Sequence, residues 1–305
     1  MFITAIILTY NEELHIARCI ENVKQVAGEV YVIDSHSTDK TCQIAMQHGA
    51  KVVQHAYVNQ AQQFQWALDN VDCRGDWVLR LDADEYLTDA LIDEIKATLP
   101  GLPPEVAGCK LPRDVVFLGT NVRHGRIHPP YILRLWRKGH AYMEQRWMDE
   151  QVVLTQGRAV NLKARFVDHN LRPLTWWTQK HNAYSNRELA VELGKAYGLS
   201  QDEKELGRRN SQKSAYYRLP PFLRAGFYFM LRYVLLGGFL DGKAGLIWAT
   251  LQAFWYRFLV DAKWYEMQQM LGKNPSSGEI ESYLRQQFGI TFRQTPHTSV
   301  ERPTG

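Results

Sequence analysis

The residues best suited to chemistry in this sequence are three carboxylates in the run WVLRLDADE, residues 77–85. Asp82, Asp84 and Glu85 follow a short apolar run that is typical of a buried strand. Carboxylate oxygens are the ligands that Mg²⁺ or Mn²⁺ prefers, and a bound cation would offset their mutual repulsion. Acidic residues also favour the start of a helix for electrostatic reasons, so this pattern alone leaves two interpretations open.

Two further polar clusters also follow apolar, β-branched runs. The cluster TYNE (9–12) comes after ITAIIL (3–8), and DSHSTD (34–39) comes after VYVI (30–33). In open parallel sheets, ligands bind at the carboxyl ends of the strands. We therefore expect all three polar clusters to meet at one edge of a sheet, which favours a ligand site over an isolated helix start.

The elements that must position these clusters alternate along the first hundred residues. The apolar patterns predict strands at 3–8, 30–33, 52–53 and 77–81, and helices at 12–24, 38–47, about 60–70 and 89–99. Ser37 or Thr38 is the predicted N-cap of the second helix. This alternation predicts an α/β fold with a mostly parallel sheet. Neither GxGxxG nor GxxxxGK[ST] occurs, which argues against dinucleotide and P-loop sites.

The three clusters, in this order and spacing, resemble the motifs of family 2 glycosyltransferases with the GT-A fold. Within that family the chain looks like the branch of lipopolysaccharide-core β-1,4-glucosyltransferases and exopolysaccharide transferases. The resemblance implies an α/β GT-A domain, followed here by a helical, aromatic and basic extension. It also implies inverting transfer of a hexose from a nucleotide-sugar donor, with Mg²⁺ or Mn²⁺ as the cofactor.

The resemblance assigns roles to residues of each cluster. Those implied at the nucleotide and the diphosphate are Thr9, Tyr10 and Glu12 (lining the base and ribose pocket), Asp34 (holding the base or ribose), Ser37 and Asp39 (shaping the adjacent loop), and Asp82 and Asp84 (binding the metal and diphosphate). His36 stands where many relatives have glycine, and a residue with a side chain resists positive φ. The conformation of this turn is therefore an open question.

The catalytic base is expected in Asp149-Glu150, near where the resemblance places a carboxylate. An inverting displacement needs one base to take the proton of the acceptor hydroxyl. Adjacent residues of a strand face opposite sides, so one of the two serves. We favour Glu150, because the related branch has a glutamate at the end of this motif. An ordinary pair of exposed acids is the alternative.

Other polar residues of the middle region have two interpretations each. His169 is a candidate for the metal or diphosphate, although a lone histidine is more often structural. Arg123, Arg126 and His128 are candidates for contacts with phosphate, or are solvated surface.

Charge and aromatic content separate the ends of the chain. Residues 1–100 carry 7 Lys and Arg against 15 Asp and Glu, whereas the rest carry 29 against 17, which suggests an anionic partner. Residues 216–265 contain 15 aromatic residues, but charges limit the longest uncharged run to 13 residues. A spanning helix needs about 20 apolar residues, so we predict helices at the bilayer interface. Aromatic residues packed in a helical core are the alternative.

In the interfacial interpretation, three arginines reach lipid head groups and two tryptophans face the apolar layer. These residues are Arg218, Arg224 and Arg232, with Trp248 and Trp255. The predicted division is a nucleotide-sugar half (1–100), an acceptor half (101–210), a membrane-associating extension (211–272) and a polar tail (273–305). No signal peptide is predicted, because no basic residue precedes the first apolar run.

These patterns predict a peripheral enzyme on the inner face of the cytoplasmic membrane. The expected partners are a nucleotide-sugar donor and a lipid-linked or lipopolysaccharide glycan acceptor, with homo-oligomerisation left open. Direct transfer to polyprenyl phosphate is the nearest enzymatic alternative. A nucleic-acid-binding protein is an alternative from another class, because the basic aromatic region could stack on bases. It does not explain acidic clusters at successive strand ends, so no nucleic-acid partner is expected.

Overall fold

The computed structural model describes residues 2–125, 131–144, 151–199, 216 and 218–291. The chain forms two units, which are described separately. Unit 1 comprises Met1–Leu174 and Leu231–Ala249, and unit 2 comprises Thr175–Met230 and Thr250–Gly305. Part of the predicted 211–272 extension therefore belongs to the same unit as the N-terminal sheet.

Every strand among the described residues lies in unit 1, and these strands form three sheets. They are β1 (Ile3–Thr9), β2 (Glu29–Asp34), β3 (Lys51–Gln54), β4 (Trp77–Asp82), β5 (Glu85–Leu87), β6 (Val106–Leu111), β7 (Arg113–Phe117), β8 (Thr120–Val122), β9 (Ile132–Arg137), β10 (Ala141–Met143), β11 (Val152–Leu154), β12 (Arg158–Asn161) and β13 (Phe166–His169). The main sheet has the order β12-β6-β9-β4-β1-β2-β3, and a second has the order β5-β13-β7-β8. Strands β10 and β11 pair with each other.

The helices surround the main sheet in unit 1 and make up most of unit 2. They are α1 (Ile16–Val23), α2 (Thr41–Gln47), α3 (Gln60–Asn70), α4 (Asp89–Thr98), α5 (Leu174–Ala196), α6 (Leu223–Met230), α7 (Gly242–Trp248), α8 (Tyr256–Leu271) and α9 (Ser277–Phe288). The pairs β1–β2, β1–β4 and β2–β3 are parallel, as predicted. Strand β9 is antiparallel to its neighbours β4 and β6.

Strand β1 is buried on both faces, which explains its continuous apolar sequence. Ile3 and Ile7 pack in one core cluster with Ile16 of α1. Ile6, which points to the opposite face, packs in a second cluster with Phe64 of α3. The main sheet is therefore covered by helices on both faces, and its strand ends are held at fixed positions.

The predicted N-cap of the second helix was wrong. Helix α2 begins at Thr41, and Lys40 occupies the N-cap without a side-chain hydrogen bond. Ser37 and Thr38 instead bond to Asp34 and Asn11 in the loop that precedes the helix. The Ser37 hydroxyl also accepts the Asn11 N–H, and the Thr38 hydroxyl donates to the Asn11 side chain. Both side chains therefore serve contacts between loops, which a local sequence pattern does not reveal.

The predicted polar tail contains an ordered helix, α9, in unit 2. Ser276 accepts a hydrogen bond from the Glu279 N–H, and Glu279 accepts one from the Ser276 N–H, which forms a capping box. Ile280, Tyr283 and Leu284 of this helix are buried in a cluster with Leu189 and Leu193 of α5. The S-x-x-E spacing was the local signal that the sequence analysis overlooked.

The predicted head-group role of Arg224 and Arg232 was wrong. Arg224 is 8% exposed and binds Asp261 within unit 2, and Arg232 is 6% exposed within unit 1. Trp248 is also buried and packs edge-on against Phe117, with ring centroids 4.9 Å apart. A guanidinium with carboxylate or carbonyl partners can be buried, whereas composition shows only that the residues are basic.

Within the described part of the chain, no single helix is both long and apolar enough to cross a bilayer. One bent pair of helical segments, Leu223–Leu235 and Gly238–Leu271, meets the length and composition criteria together.

Candidate functional site

The three polar clusters meet at one edge of the main sheet of unit 1, as predicted. Thr9 at the end of β1 pairs with Asp34 at the end of β2, and Leu8 pairs with Asp82 at the end of β4. These strands are parallel, so their carboxyl ends open on the same side. Residues from three distant parts of the sequence therefore lie side by side at the usual ligand-binding edge of an α/β sheet.

Asp34 is the most enclosed carboxylate of this edge, with no exposed surface. Thr9 donates its hydroxyl to Oδ1 at 3.0 Å, and the Ser37 N–H donates to Oδ2 at 2.8 Å. Burial by itself opposes ionisation, but the hydrogen bonds from Ser37, Cys42 and Thr9 outweigh it and lower the pKa of Asp34. Asp34 is therefore a fixed negative charge. Direct contact with a nucleotide requires that the Ser37 loop shift aside.

Two loops that follow β1 and β2 are joined by reciprocal hydrogen bonds. The Asn11 N–H donates to the Ser37 hydroxyl at 2.8 Å, and the Asn11 carbonyl oxygen accepts from the Thr38 N–H at 2.8 Å. Asp39 accepts hydrogen bonds from the N–H groups of Glu13 (3.2 Å) and Thr41 (2.9 Å). Ser37 and Asp39 thus hold the two loops together, and their role beside a nucleotide stays a prediction.

Glu12 connects the first loop to the segment that follows β13. Its Oε2 lies 2.6 Å from Nδ1 of the buried His15, whose Nε2 accepts the Leu171 N–H at 2.9 Å. Since Nε2 accepts this hydrogen bond and so carries no proton, the ring proton lies on Nδ1, which donates a hydrogen bond to Glu12. Tyr10, by contrast, is 58% exposed. Tyr10 therefore presents an exposed ring, whereas Glu12 is held in place by its contact with His15.

His36 adopts the left-handed conformation that glycine favours, with φ of 60°. This answers the question raised by the sequence: the turn keeps the glycine-like geometry although it has a side chain. Left-handed backbone costs an L-residue roughly 1–2 kcal/mol. The hydrogen bonds of Ser37 and Thr38 on the next two residues hold the turn in this conformation.

Replacement of His36 by glycine is expected to stabilise the protein. His36 is exposed, so little packing is lost, and relief of the backbone strain outweighs the greater freedom of glycine in the unfolded chain. We expect His36→Gly to raise the free energy of unfolding by about 0.5–1 kcal/mol in urea denaturation. His36→Val, which tolerates positive φ less well, should lower it. Equal stability of all three proteins would contradict the proposed strain.

Asp82 lies between two buried arginines at the end of β4. Its Oδ1 is 3.8 Å from Nη2 of Arg80, and its Oδ2 is 3.6 Å from Nη2 of Arg134. The Asp82 side chain is 32% exposed, whereas those of Arg80 and Arg134 are 9% and 6% exposed. The arginines thus approach the carboxylate from the protein side, and its remaining surface faces solvent.

Glu85 is buried and bonds to both Arg134 and Asp82. Its Oε1 accepts a hydrogen bond from Arg134 at 2.6 Å, and its Oε2 accepts the Asp82 N–H at 2.9 Å. Burial raises the pKa of Glu85, the charge of Arg134 opposes that rise, and Asp82 and Asp168 add to it. The pair Glu85–Arg134 is therefore a buried support that fixes both the backbone and the carboxylate of Asp82.

Asp84 and His169 lie side by side although 85 positions separate them in the sequence. The His169 N–H donates to the Asp84 carbonyl oxygen at 3.0 Å, where β13 pairs with β5. Asn170 donates its side-chain amide to Asp84 Oδ2 at 2.9 Å. Arg18 donates to both the Asp84 and His169 carbonyl oxygens, at 3.1 and 2.7 Å. The carboxylate and the imidazole are thus attached to one hydrogen-bonded frame.

The imidazole of His169 is held in its neutral form. Burial first, and then the nearby charge of Arg18, lower the pKa of His169. A neutral imidazole is the form that binds a metal ion. Within the part of the chain that the structure describes, no three His, Cys, Asp or Glu side chains are already grouped as a metal site. Mg²⁺, however, commonly takes one or two carboxylates, with substrate phosphates and water completing its shell.

Several predicted residues lie outside the described part of the chain. These are both candidates for the catalytic base, Asp149 and Glu150, together with Arg126 and His128. Arg123 is described: its side chain is 67% exposed and lies 3.8 Å from Asp114. The roles of these residues stay predictions.

The residues that hold the site together were not predicted from the sequence. They are His15, Arg18, Gln60, Arg134 and Asn170. The available signals were weak: Asn170 follows His169 directly, and Arg134 is a single charge in the apolar run ILRLW (132–136).

The match to a protein family agrees with this geometry. Residues 4–166 match the model of glycosyl transferase family 2, which is more than half of the chain. The chain therefore belongs to this family, and the predicted GT-A fold is confirmed.

Individual relatives fall into two groups by length of match. An uncharacterized glycosyltransferase of Rickettsia bellii is 47% identical over 94 residues, which is 31% of either chain. The match thus spans about a third of the length of this relative. The lipopolysaccharide core biosynthesis glycosyltransferase LpsC of Rhizobium meliloti is 27% identical over 263 residues, which cover 82% of this chain and 90% of LpsC.

A solved structure shows a more distant likeness. It is glucosyl-3-phosphoglycerate synthase of Mycobacterium tuberculosis in complex with Mn²⁺, UDP and glucosyl-3-phosphoglycerate. The identity is 17%, the TM-score is 0.40, and the match covers 62% of this chain and 79% of that one.

Proposed function

We propose that this protein is an inverting, metal-dependent glycosyltransferase that moves a hexose from a nucleotide sugar to a cell-envelope glycan. The observation that carries the proposal is that Asp34 and Asp82 end the parallel strands β2 and β4 on the same side of the main sheet, where Asp84 follows and is hydrogen-bonded to His169 of the second sheet. A nucleoside diphosphate needs a pocket for its base and ribose beside a site for its phosphates. This edge offers both kinds of groups side by side.

The base and ribose are assigned to the edge formed by β1 and β2. Tyr10 presents an exposed ring for stacking, and the loop of Ser37 presents hydroxyl and backbone groups beside the fixed charge of Asp34. Asp34 acts either by direct contact, once the loop has shifted, or by holding Ser37 in place. In either case, loss of its charge disturbs the nucleotide pocket.

The residues at the end of β4 fit a divalent cation. Asp82, Asp84 and neutral His169 would hold Mg²⁺ or Mn²⁺, which when bound neutralises the charge of the departing diphosphate. Arg18, Asn170 and the Glu85–Arg134 pair keep these ligands in position. Asp84 is half-buried, and the Asp82 side chain retains solvent-facing surface, so both are accessible to a donor.

The chemistry is a single displacement at the anomeric carbon of the sugar. Glu150 takes the proton of the acceptor hydroxyl as its oxygen forms the new bond. The bond from the anomeric carbon to the diphosphate breaks, and the nucleoside diphosphate leaves with the electron pair. Attack from the face opposite to the leaving group inverts the anomeric configuration.

The acceptor class is proposed from the longest match. LpsC, which is named for lipopolysaccharide core biosynthesis, aligns with 82% of this chain, so the match extends well beyond the donor half. We therefore assign a lipopolysaccharide core or an exopolysaccharide precursor as the acceptor. Polyprenyl phosphate is the competing acceptor, and transfer assays with both substrates distinguish them.

The donor half is tested by the thermal stability of the protein with UDP, GDP, dTDP or CMP, each with and without Mn²⁺. We expect one nucleotide to stabilise the fold by about 2.7 kcal/mol at a hundred times its Kd, and to do so far less without Mn²⁺. Tyr10→Ala should weaken the effect. Met46→Ala should not, since Met46 is equally exposed (59%) but lies on α2 outside the site. No stabilisation by any of the four nucleotides would contradict the proposal.

A further inference from the structure

One stretch of unit 1 has the opposite polarity to an ordinary surface helix. In the π-helical turn Leu231–Leu235, the arginine points inward and the apolar residues point outward. Arg232 is only 6% exposed, whereas Leu231, Val234 and Leu235 are 42%, 43% and 75% exposed. Surface helices of soluble proteins bury their apolar face and expose their charges. The reversed arrangement is the one expected of a surface that faces an apolar environment.

The turn that follows continues the same exposed surface. The 3₁₀-helical turn Gly238–Asp241 presents Phe239 and Leu240, which are 50% and 61% exposed. We name Leu231, Val234, Leu235, Phe239 and Leu240 together the apolar apex. Five large apolar residues within ten positions are more than the isolated exposed side chains that surfaces normally carry.

The apex is held in this exposed position by polar contacts on its inner side. Arg232 donates from Nε to the Gly125 carbonyl oxygen at 2.8 Å, and the Gly125 N–H donates to the Leu236 carbonyl oxygen at 3.0 Å. Asp241 accepts the N–H groups of Arg123 and His124 at 3.0 and 2.9 Å. The orientation is therefore part of the folded structure of unit 1.

Close backbone packing at three glycines holds the turn Gly238–Asp241 in its orientation. Gly237 has φ of 73°, and a Cβ on Gly238 would lie 2.8 Å from the Arg232 carbonyl oxygen. A Cβ on Gly245 would lie 2.2 Å from the Gly238 carbonyl oxygen. The glycines thus allow three chain segments to touch, and this contact directs the large side chains outward.

The charges beside the apex indicate what covers it. Lys243 is exposed, and the Arg123 side chain is 67% exposed. The neighbouring acids are enclosed instead, since the side chains of Asp241 and Asp114 are 5% and 10% exposed. An apolar surface bordered by exposed cations matches the interface of a bilayer that contains anionic lipid.

We propose that the apolar apex inserts into the interfacial layer of an anionic phospholipid bilayer, with Lys243 and Arg123 at the head groups. This surface takes the place of Arg224, Arg232 and Trp248, which the sequence suggested for the membrane and the structure buries. It would place the donor site of unit 1 at the membrane surface, where a lipid-linked acceptor is found. The inference rests on the proposed function only for this last step.

The test measures co-sedimentation of the full chain with vesicles of phosphatidylcholine alone or with 30% phosphatidylglycerol. We expect the unmodified protein to bind the anionic vesicles at low salt. The triple variant Leu235→Ser, Phe239→Ser, Leu240→Ser should bind at least about a hundredfold more weakly. Lys243→Gln should weaken binding about fivefold, and only to anionic vesicles. Leu235→Ser should weaken binding measurably, whereas the matched control Met46→Ser, at 59% exposure, should not.

The melting temperature and the mass in solution are measured for the parent and for each variant. The substituted side chains are exposed, so the triple variant should melt like the parent and should still be stabilised by the nucleotide and Mn²⁺. That result separates failure of the membrane surface from failure of the proposed function. Vesicle binding that is unaffected by the triple substitution overturns the inference. So does a dimer of the parent that the triple substitution dissociates without any change in vesicle binding.

Discussion

Asp84→Asn is expected to lower sugar transfer by at least about 10³-fold while leaving the fold intact. The substitution keeps the shape of the side chain and its contact with Asn170, but removes the charge that a divalent cation requires. In the proposed mechanism a bound cation would stabilise the departing diphosphate, and a loss of several kcal/mol at this step corresponds to the expected decrease. Stopped assays of transfer at saturating donor measure it directly.

Two further measurements show that the effect arises at the metal. The Asn variant should lose the dependence of nucleotide stabilisation on Mn²⁺, since its cation ligand is gone. The melting temperature of the metal-free protein should stay the same or rise, because one of several crowded acids has been neutralised. Asp93→Asn, on the exposed side of α4, is the matched control and should behave as the parent. Normal turnover of Asp84→Asn would rule out its role as a ligand.

Glu150→Gln is expected to lower turnover by roughly 10²–10⁴-fold, which is the usual contribution of a general base. Glutamine keeps the size of the side chain but does not take the proton of the acceptor hydroxyl. Because Glu150 is proposed to act on the acceptor and not on the nucleotide, the nucleotide should stabilise the variant as strongly as the parent. Transfer rates under saturating donor and acceptor, with melting curves in parallel, separate catalysis from donor binding.

The neighbouring substitution decides between the two candidate bases. Asp149→Asn should reduce turnover far less than Glu150→Gln. The reverse order would transfer the role of base to Asp149 and leave the mechanism unchanged. If neither substitution reduces turnover by more than a few fold, the base lies elsewhere in the chain.

The sequence by itself determined the framework of the donor half. Strands at 3–8, 30–33 and 77–81 were evident because strands buried on both faces must be almost continuously apolar. The meeting of Thr9, Asp34 and Asp82 followed from the same pattern, since parallel strands bring their carboxyl ends to one edge. Both predictions depend only on the apolar pattern within short segments of the sequence.

Only the tertiary structure decided which distant residues support the site. The proximity of His169 and Asp84 depends on the pairing of β13 with β5, and that of Glu85 and Arg134 depends on β9 lying beside β4. Contacts of this kind join positions 49 or more residues apart, and no periodic pattern specifies them.

In the C-terminal region, the sequence likewise did not predict which side chains are buried. Composition correctly indicated an aromatic and basic region, but it placed Arg224, Arg232 and Trp248 outside, and the structure buries them. The reason is that an arginine is buried when carboxylates or carbonyl groups are positioned to receive it, as Asp261 and Gly125 are here. Whether a side chain faces inward therefore depends on partners that only the folded chain brings near.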